Sequence, residues 1–334
     1  LLVEQVLEPE DWVPFPLYTD REAWKELARG KEQAYLEAAE EALDYNWCPP
    51  KATDYLDFVR TGSRAKASAH LNARRTKLRN LVLAELMEGE GRFLDQIING
   101  VWALCEQTTW VRPAHFYMQE AGFGLPDVND PTIGIFSSET TSLLAWTHYF
   151  FHQEFDRVDP LISQRLHQEL YEKSIHVYYE RTDLWWMSFD QSQYAHVNNW
   201  NPWTNSNILH AILLMEKDSL KRAWYVYKTM RSVDYFLNNY PDDGGCDEGP
   251  HYWGVAGGAL FEYLEVLSLA TGDQIKLFDS DFIKDIGSFI CKVNVGFPYV
   301  LNFADASPRR GASGDLIYRY GKAVSDQEMV SYGA

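Results

Sequence analysis

The sequence predicts an all-α fold of antiparallel helix pairs packed in series. Three observations carry that prediction. Apolar residues recur at i, i+3 and i+4 along most of the chain. The stretches between them are rich in Pro, Gly, Asn and Asp. Period-two alternation is scarce before residue 295. Helices in series, joined by turns, bury their apolar stripes against sequential neighbours. No tight repeat of the tetratricopeptide or ankyrin kind is present.

Taken in order, residues 23–43 read as a helix, with Trp24, Leu27, Tyr35, Ala38, Ala39 and Leu43 at helical spacing. Asp20 supplies its cap and Glu22 an acidic first turn. The turn Cys48-Pro49-Pro50 follows, then helices over 80–88 and 93–106. The second of these places Leu94, Ile97, Ile98, Val101, Leu104 and Cys105 on one side. Beyond Gly124-Leu125-Pro126-Asp127 come 138–151 and 161–179, the latter opened by Asp159-Pro160 with Pro in the first turn. Residues 206–215, 220–237, 253–269 and 281–293 complete the series, with Pro241-Asp242-Asp243-Gly244-Gly245 as a connector. Near Gly296 the character changes. Phe297-Pro298-Tyr299-Val300-Leu301-Asn302-Phe303 is apolar with β-forming residues, and 308–334 is polar and Gly-rich with no element expected to close it. The expected organisation is therefore a helical domain over 1–295 and, over 296–334, the incomplete start of a β-rich region or linker.

Composition bounds the function. The 334 residues are 46% hydrophobic and 15% aromatic, enough for a sizeable core and incompatible with disorder. Thirty basic residues against 48 acidic give a net charge of -18, which excludes a whole-surface nucleic-acid binder and opposes an anionic membrane. A local basic cleft remains compatible with that balance. No apolar run reaches the ~18 residues of a membrane span. Cys48, Cys105, Cys246 and Cys291 have no metal or CxxC spacing and are expected as buried thiols, with one disulfide left open by spacing alone. The opening Leu1-Leu2-Val3-Glu4 lacks Met and a basic start, as a trimmed chain would. There is no HExxH, GxGxxG, Walker loop or GxSxG, and no cofactor or metal is expected. The i, i+4 pair His148 and His152, among Trp146, Tyr149, Phe150 and Phe151, reads as packing.

Three segments carry candidate chemistry. In 196–207, His196, Trp200 and Trp203 stand among Asn198, Asn199, Asn201, Asn205 and Asn207. Asn205 or Ser206 can cap the following helix. The other amides can donate to a carboxylate, and exposed indole faces suit sugar rings. In 244–253, two glycines precede Cys246, Asp247, Glu248, Gly249, Pro250, His251, Tyr252 and Trp253, a turn crowded with groups that transfer or donate protons. In 110–115, Arg112 suits an acidic sugar and His115 a ligand or a loop position. Glu139 reads as a helix start.

Asn198-Asn199-Trp200 followed by Asp247-Glu248-Gly249-Pro250 and Tyr252-Trp253 resembles the heparinase II/III-like polysaccharide lyases. The stretch Trp110-Arg112-Pro113-His115 and Glu139 also resemble that family. The likeness is diffuse over 10–305 and sharp at 196–207 and 244–254. It implies an incomplete α/α toroid followed by β-sandwich domains that this sequence lacks, with any metal belonging to that part. It implies β-elimination at uronic acids: a base removes the C5 proton, the C4–O bond breaks and a C4–C5 double bond forms. The resemblance makes Tyr252 base and acid, and Asn198 or Asn199 the neutraliser of the uronate carboxylate, with Asn198 favoured by spacing. His251 assists, Glu248 orients the loop or meets sugar, and His196, Trp200, Trp203, Trp253, Arg112 and His115 bind substrate. The partner implied is an acidic polysaccharide, and the implied location is secreted or periplasmic. Two departures stand out: Trp200 occupies a position where many members carry His, and no His follows His251. The acidic surface points to a sparsely charged uronate polymer, or to a local patch drawing on Arg112, Arg309 and Arg310.

Two other readings use the same residues. A glycoside hydrolase on an α/α toroid would pair Asp247 or Glu248 with Asp190 or Asp305. A non-catalytic glycan-binding protein would use the Trp-lined groove alone.

Overall fold

In the structure, a computed structural model, residues 2–30, 32–190, 197–309 and 311–334 are described. Among them are fifteen α-helices and one two-stranded hairpin, so the chain is all-α in class. No helix among the described residues is long and apolar enough to cross a membrane. The chain divides into two compact units: Val13–Arg181 is the first, and Leu1–Trp12 with Thr182–Ala334 is the second. Neither boundary falls at 295.

The short helix α1 (Leu2–Gln5) belongs to the second unit. The first unit then holds α2 (Arg21–Ala28), α3 (Glu32–Leu43), α4 (Ala52–Thr61), α5 (Ala65–Glu88), α6 (Leu94–Cys105), α7 (Ile135–Val158), α8 (Leu161–Leu170) and α9 (His176–Glu180). α5 is its spine, packing on α3, α6 and α7, while α8 packs on α6 and α7. Asp20 caps α2 by accepting from the Ala23 amide at 3.3 Å. The helix expected over 23–43 is two helices, because the chain turns at Gly30 in a left-handed conformation (φ +78°). α5 begins at Ala65 rather than at 80. Its first half carries Arg74 in the core, donating to Gln107 Oε1 at 2.5 Å and to the carbonyls of Trp47 and Ala103. A buried arginine, held through both terminal nitrogens, interrupts the apolar period that would have revealed the helix. A π-turn, Tyr171–Ile175, joins α8 to α9 in one run, close to the expected 161–179.

In the second unit α10 (Trp200–Met215) packs against α11 (Ser219–Asn239) and α12 (Gly257–Ala270), and α13 (Asp281–Lys292) lies against α12. The β character expected after 296 amounts to the hairpin β1 (Asn294–Gly296) and β2 (Tyr299–Val300). Residues 308–334, expected to lack a closing element, instead carry α14 (Gly314–Ala323) and α15 (Gln327–Gly333). Ser313 and Asp326 cap them by accepting from the amides of Leu316 and Met329. Leu316, Ile317, Tyr320 and Met329 are buried. The glycines that obscured these helices in the sequence permit their contact, since a Cβ on Gly321 would lie 2.7 Å from Met329 Cβ. Cys105, Cys246 and Cys291 are buried thiols as expected, whereas Cys48 is an exposed one.

Candidate functional site

Within the second unit, the start of α10 meets the 244–253 loop. Asn198, one residue before the α10 N-cap Asn199, accepts through Oδ1 from the Trp200 amide at 3.0 Å and so satisfies the first amide of the helix. The bond engages the amide oxygen and leaves Nδ2 to donate elsewhere. Asn199 is buried and donates its Nδ2 to Glu248 Oε2. That one bond ties the two segments together.

The loop's path depends on its glycines. Gly244 and Gly249 both have positive φ (+74° and +94°). A Cβ on Gly244 would lie 2.3 Å from the Asp285 carbonyl carbon, and one on Gly249 2.5 Å from the Phe303 oxygen. Successive turns, Gly249 N to Cys246 O at 3.0 Å and Tyr252 N to Gly249 O at 3.1 Å, then lead into α12. Asn198, Asn199, Tyr240, Asp247 and Glu248 line a cleft of about 10 Å³, room for about one water molecule. In this conformation it seats no sugar ring. The Cys246 thiol at its wall is pushed up to about 11, first by burial, and is no nucleophile at neutral pH.

The remaining expected site residues fall differently. Tyr252 is half-buried and His251 exposed, with ring centroids 6.0 Å apart at 69°. His251 packs on the Gly311 backbone, where a Cβ would come within 2.7 Å of Nδ1. Neither ring lines the Asn198–Glu248 cleft. Trp253, expected as a sugar platform, is wholly buried, donates Nε1 to Ile286 O at 2.7 Å and stacks on Tyr320. It is a core residue, because an indole with its N–H satisfied packs well there. Trp200 is partly exposed and its ring meets that of Trp185 at 5.0 Å, a residue that nothing in the sequence pattern singled out. Trp203 is partly exposed on α10. His196 and Arg310 lie outside the described residues.

The asparagine cluster divides in two. Only Asn198 and Asn199 reach the cleft. Asn201 and Asn205 are 0% exposed, inside α10 rather than at its cap. Asn201 Nδ2 donates to Trp186 O and Ser232 O, both at 2.9 Å, and Asn205 Nδ2 donates to Ser232 Oγ at 2.8 Å. Ser232 in turn donates to Met187 O. The network pins the 186–187 turn to α10 and α11. Asn207 Nδ2 donates to the Trp203 carbonyl. Ser206 is also buried in mid-helix.

Arg112 and His115 belong to the first unit. Arg112 lies 3.0 Å from the Phe136 ring centroid and donates to Asn72 Oδ1 at 2.7 Å. Burial, then Arg75, push its guanidinium down to about 10. His115 is buried and stacked on Phe136 at 5.8 Å. Burial, then Arg112 and Arg64, push it down to about 4, so it is neutral at pH 7. Glu139 lies in the second turn of α7, not at its start, and pairs with Arg75 at 2.7 Å. His148 and His152 stack at 5.6 Å, and no group of three metal-binding side chains occurs among the described residues.

Compared with known proteins, the chain matches no family model and no curated relative.

Proposed function

We propose that the protein is a polysaccharide lyase that cleaves a uronic-acid polymer by β-elimination, its helix pairs forming part of an α/α toroid. The observation that supports this most is the Asn199–Glu248 bond. It joins the two segments whose residue types suit the reaction, and it displays an amide donating to a carboxylate at the start of α10. Asn198, beside it, has its oxygen engaged by the Trp200 amide, and its Nδ2 can serve only as a donor. In this reading Asn198 neutralises the uronate, which makes the C5 proton removable. Tyr252 is the base that takes that proton. The C–H electron pair becomes the C4–C5 double bond, the C4–O bond breaks with its pair going to oxygen, and Tyr252 returns the proton to that oxygen. Glu248 positions the loop through Asn199, while Trp200 with Trp185 offers a stacking face. A net charge of -18 favours a sparsely charged polymer over a heavily sulfated one. The same reading puts the protein outside the cytoplasm, where such polymers occur.

The test is a near-ultraviolet assay for the conjugated double bond on heparan sulfate, chondroitin, hyaluronan, alginate and ulvan, with Tyr252→Phe as control. Absorbance that the variant loses is the expected result. New reducing ends without unsaturation would replace elimination with hydrolysis.

A further inference from the structure

The first unit holds a concentration of positive charge at odds with the acidic chain around it. α5 presents Arg75, Thr76 and Arg79 towards Glu139 and Leu143 of α7, and these five side chains line a cavity of about 310 Å³. That volume is at the lower end of small-ligand sites, about 300 Å³. Behind it Arg112 stacks on Phe136, whose carbonyl accepts from Arg75 Nη1 at 2.9 Å. Beyond burial, Arg75 feels Glu139 and Arg79, and Arg112 feels Arg75, Glu139 and Arg64. Glu139 is engaged by Arg75 at 2.7 Å. Arg79 is exposed and has no carboxylate within ion-pairing distance among the described residues. Arg112 Nε is buried with no acceptor.

A second cavity of the same unit, about 320 Å³, makes the contrast. Its cations are neutralised from within: Arg165 donates to Glu169 at 2.6 Å, and Lys173 to Glu169 and to Cys105 O. In the Arg79 cavity Glu139 offsets Arg75, but among the described residues no carboxylate pairs with Arg79, and guanidinium groups prefer oxyanions with two or more acceptor atoms.

We infer that the cavity between α5 and α7 binds the oxyanion group of a small organic acid, a carboxylate or a sulfate ester. Arg79 and the Thr76 hydroxyl, one helical turn apart, contact the anion. Leu143 supports the ligand's carbon skeleton, and the Arg75–Glu139 pair holds the wall. The site stands apart from the elimination reading and does not depend on it.

Calorimetric titration of the intact protein with glucuronate, glucosamine 6-sulfate and uncharged glucose tests the inference. One or both acids bind, more weakly as salt rises, and glucose does not. The acid that binds identifies carboxylate or sulfate. Arg79→Ala weakens binding about tenfold or more, the loss expected of one charge-assisted contact. Thr76→Val weakens it less. Arg60→Ala, which removes an exposed arginine of α4 elsewhere in the unit, leaves it unchanged. Binding of neither acid, or equal binding by Arg79→Ala, overturns the site. Neither result touches the double-bond assay.

Discussion

Asn198 has two duties that different substitutions separate. Its Oδ1 accepts from the Trp200 amide, and its Nδ2 is the proposed donor to the uronate. Asn198→Asp keeps an acceptor for the Trp200 amide and replaces the donor with a like charge. It is expected to leave the urea midpoint near that of the parent while turnover falls by about 10²–10³-fold, the cost of losing one preorganised donor. Asn198→Ala loses both, adding about 1 kcal/mol of destabilisation for the missing bond to the Trp200 amide. Parental turnover in the Asn198→Asp variant would remove Asn198 from the chemistry. Asn201 answers to a different measurement. Asn201→Ala removes the side-chain donor to the carbonyls of Trp186 and Ser232 and is expected to cost about 1 kcal/mol in urea unfolding. The sequence shows both residues in one cluster and cannot assign them, because which amide faces a cleft depends on where α10 begins. Trp253 illustrates the same limit. Its residue type suits either a sugar platform or a core, and only the Ile286 carbonyl opposite its Nε1 decides.

Elements were legible where the apolar period ran uninterrupted, as in α6, α11 and α13. They were obscured where polar residues enter the core or glycine enters the stripe. Arg74 hid the first half of α5, and Gly314, Gly321 and Gly333 hid α14 and α15. The 244–253 loop was recognisable as a glycine-built turn, and two of its glycines now have separate physical reasons. Gly249→Ala forces a side chain into positive φ and against the Phe303 carbonyl. It is expected to destabilise the second unit by about 1–3 kcal/mol and to move Glu248 relative to Asn199. Gly254→Ala is the matched control, since its Cβ would stand 3.7 Å from Ala312, an ordinary contact. Thermal unfolding of the two variants, compared with the parent, reads the difference. Equal melting temperatures would mean that the loop relaxes around position 249 at no cost.

At the scale of the whole chain, each unit holds, among the described residues, a histidine that burial of its ring keeps neutral. Burial holds His210, on α10, at about 4, as burial and nearby arginines hold His115 in the first unit. An unfolded histidine titrates near 6.5. Between about pH 4 and 6.5 the unfolded chain therefore binds more protons than the folded one at both positions, and stability rises with pH across that window. Above it the contribution is complete; as pH falls through it the contribution is progressively lost. Glu262 acts in the opposite sense, because burial raises its carboxyl and the folded state holds that proton longer. His115→Phe preserves the stack on Phe136 and is expected to reduce the pH slope of unfolding free energy by up to one proton. His210→Phe removes up to another, and the double variant loses the sum, since the two sites lie in separate units. Urea unfolding at closely spaced pH values measures the slopes. An unchanged slope in His115→Phe would mean that this imidazole is protonated in the folded state, and the positive surroundings of Arg112 and Arg64 would then need an anion nearby to permit it.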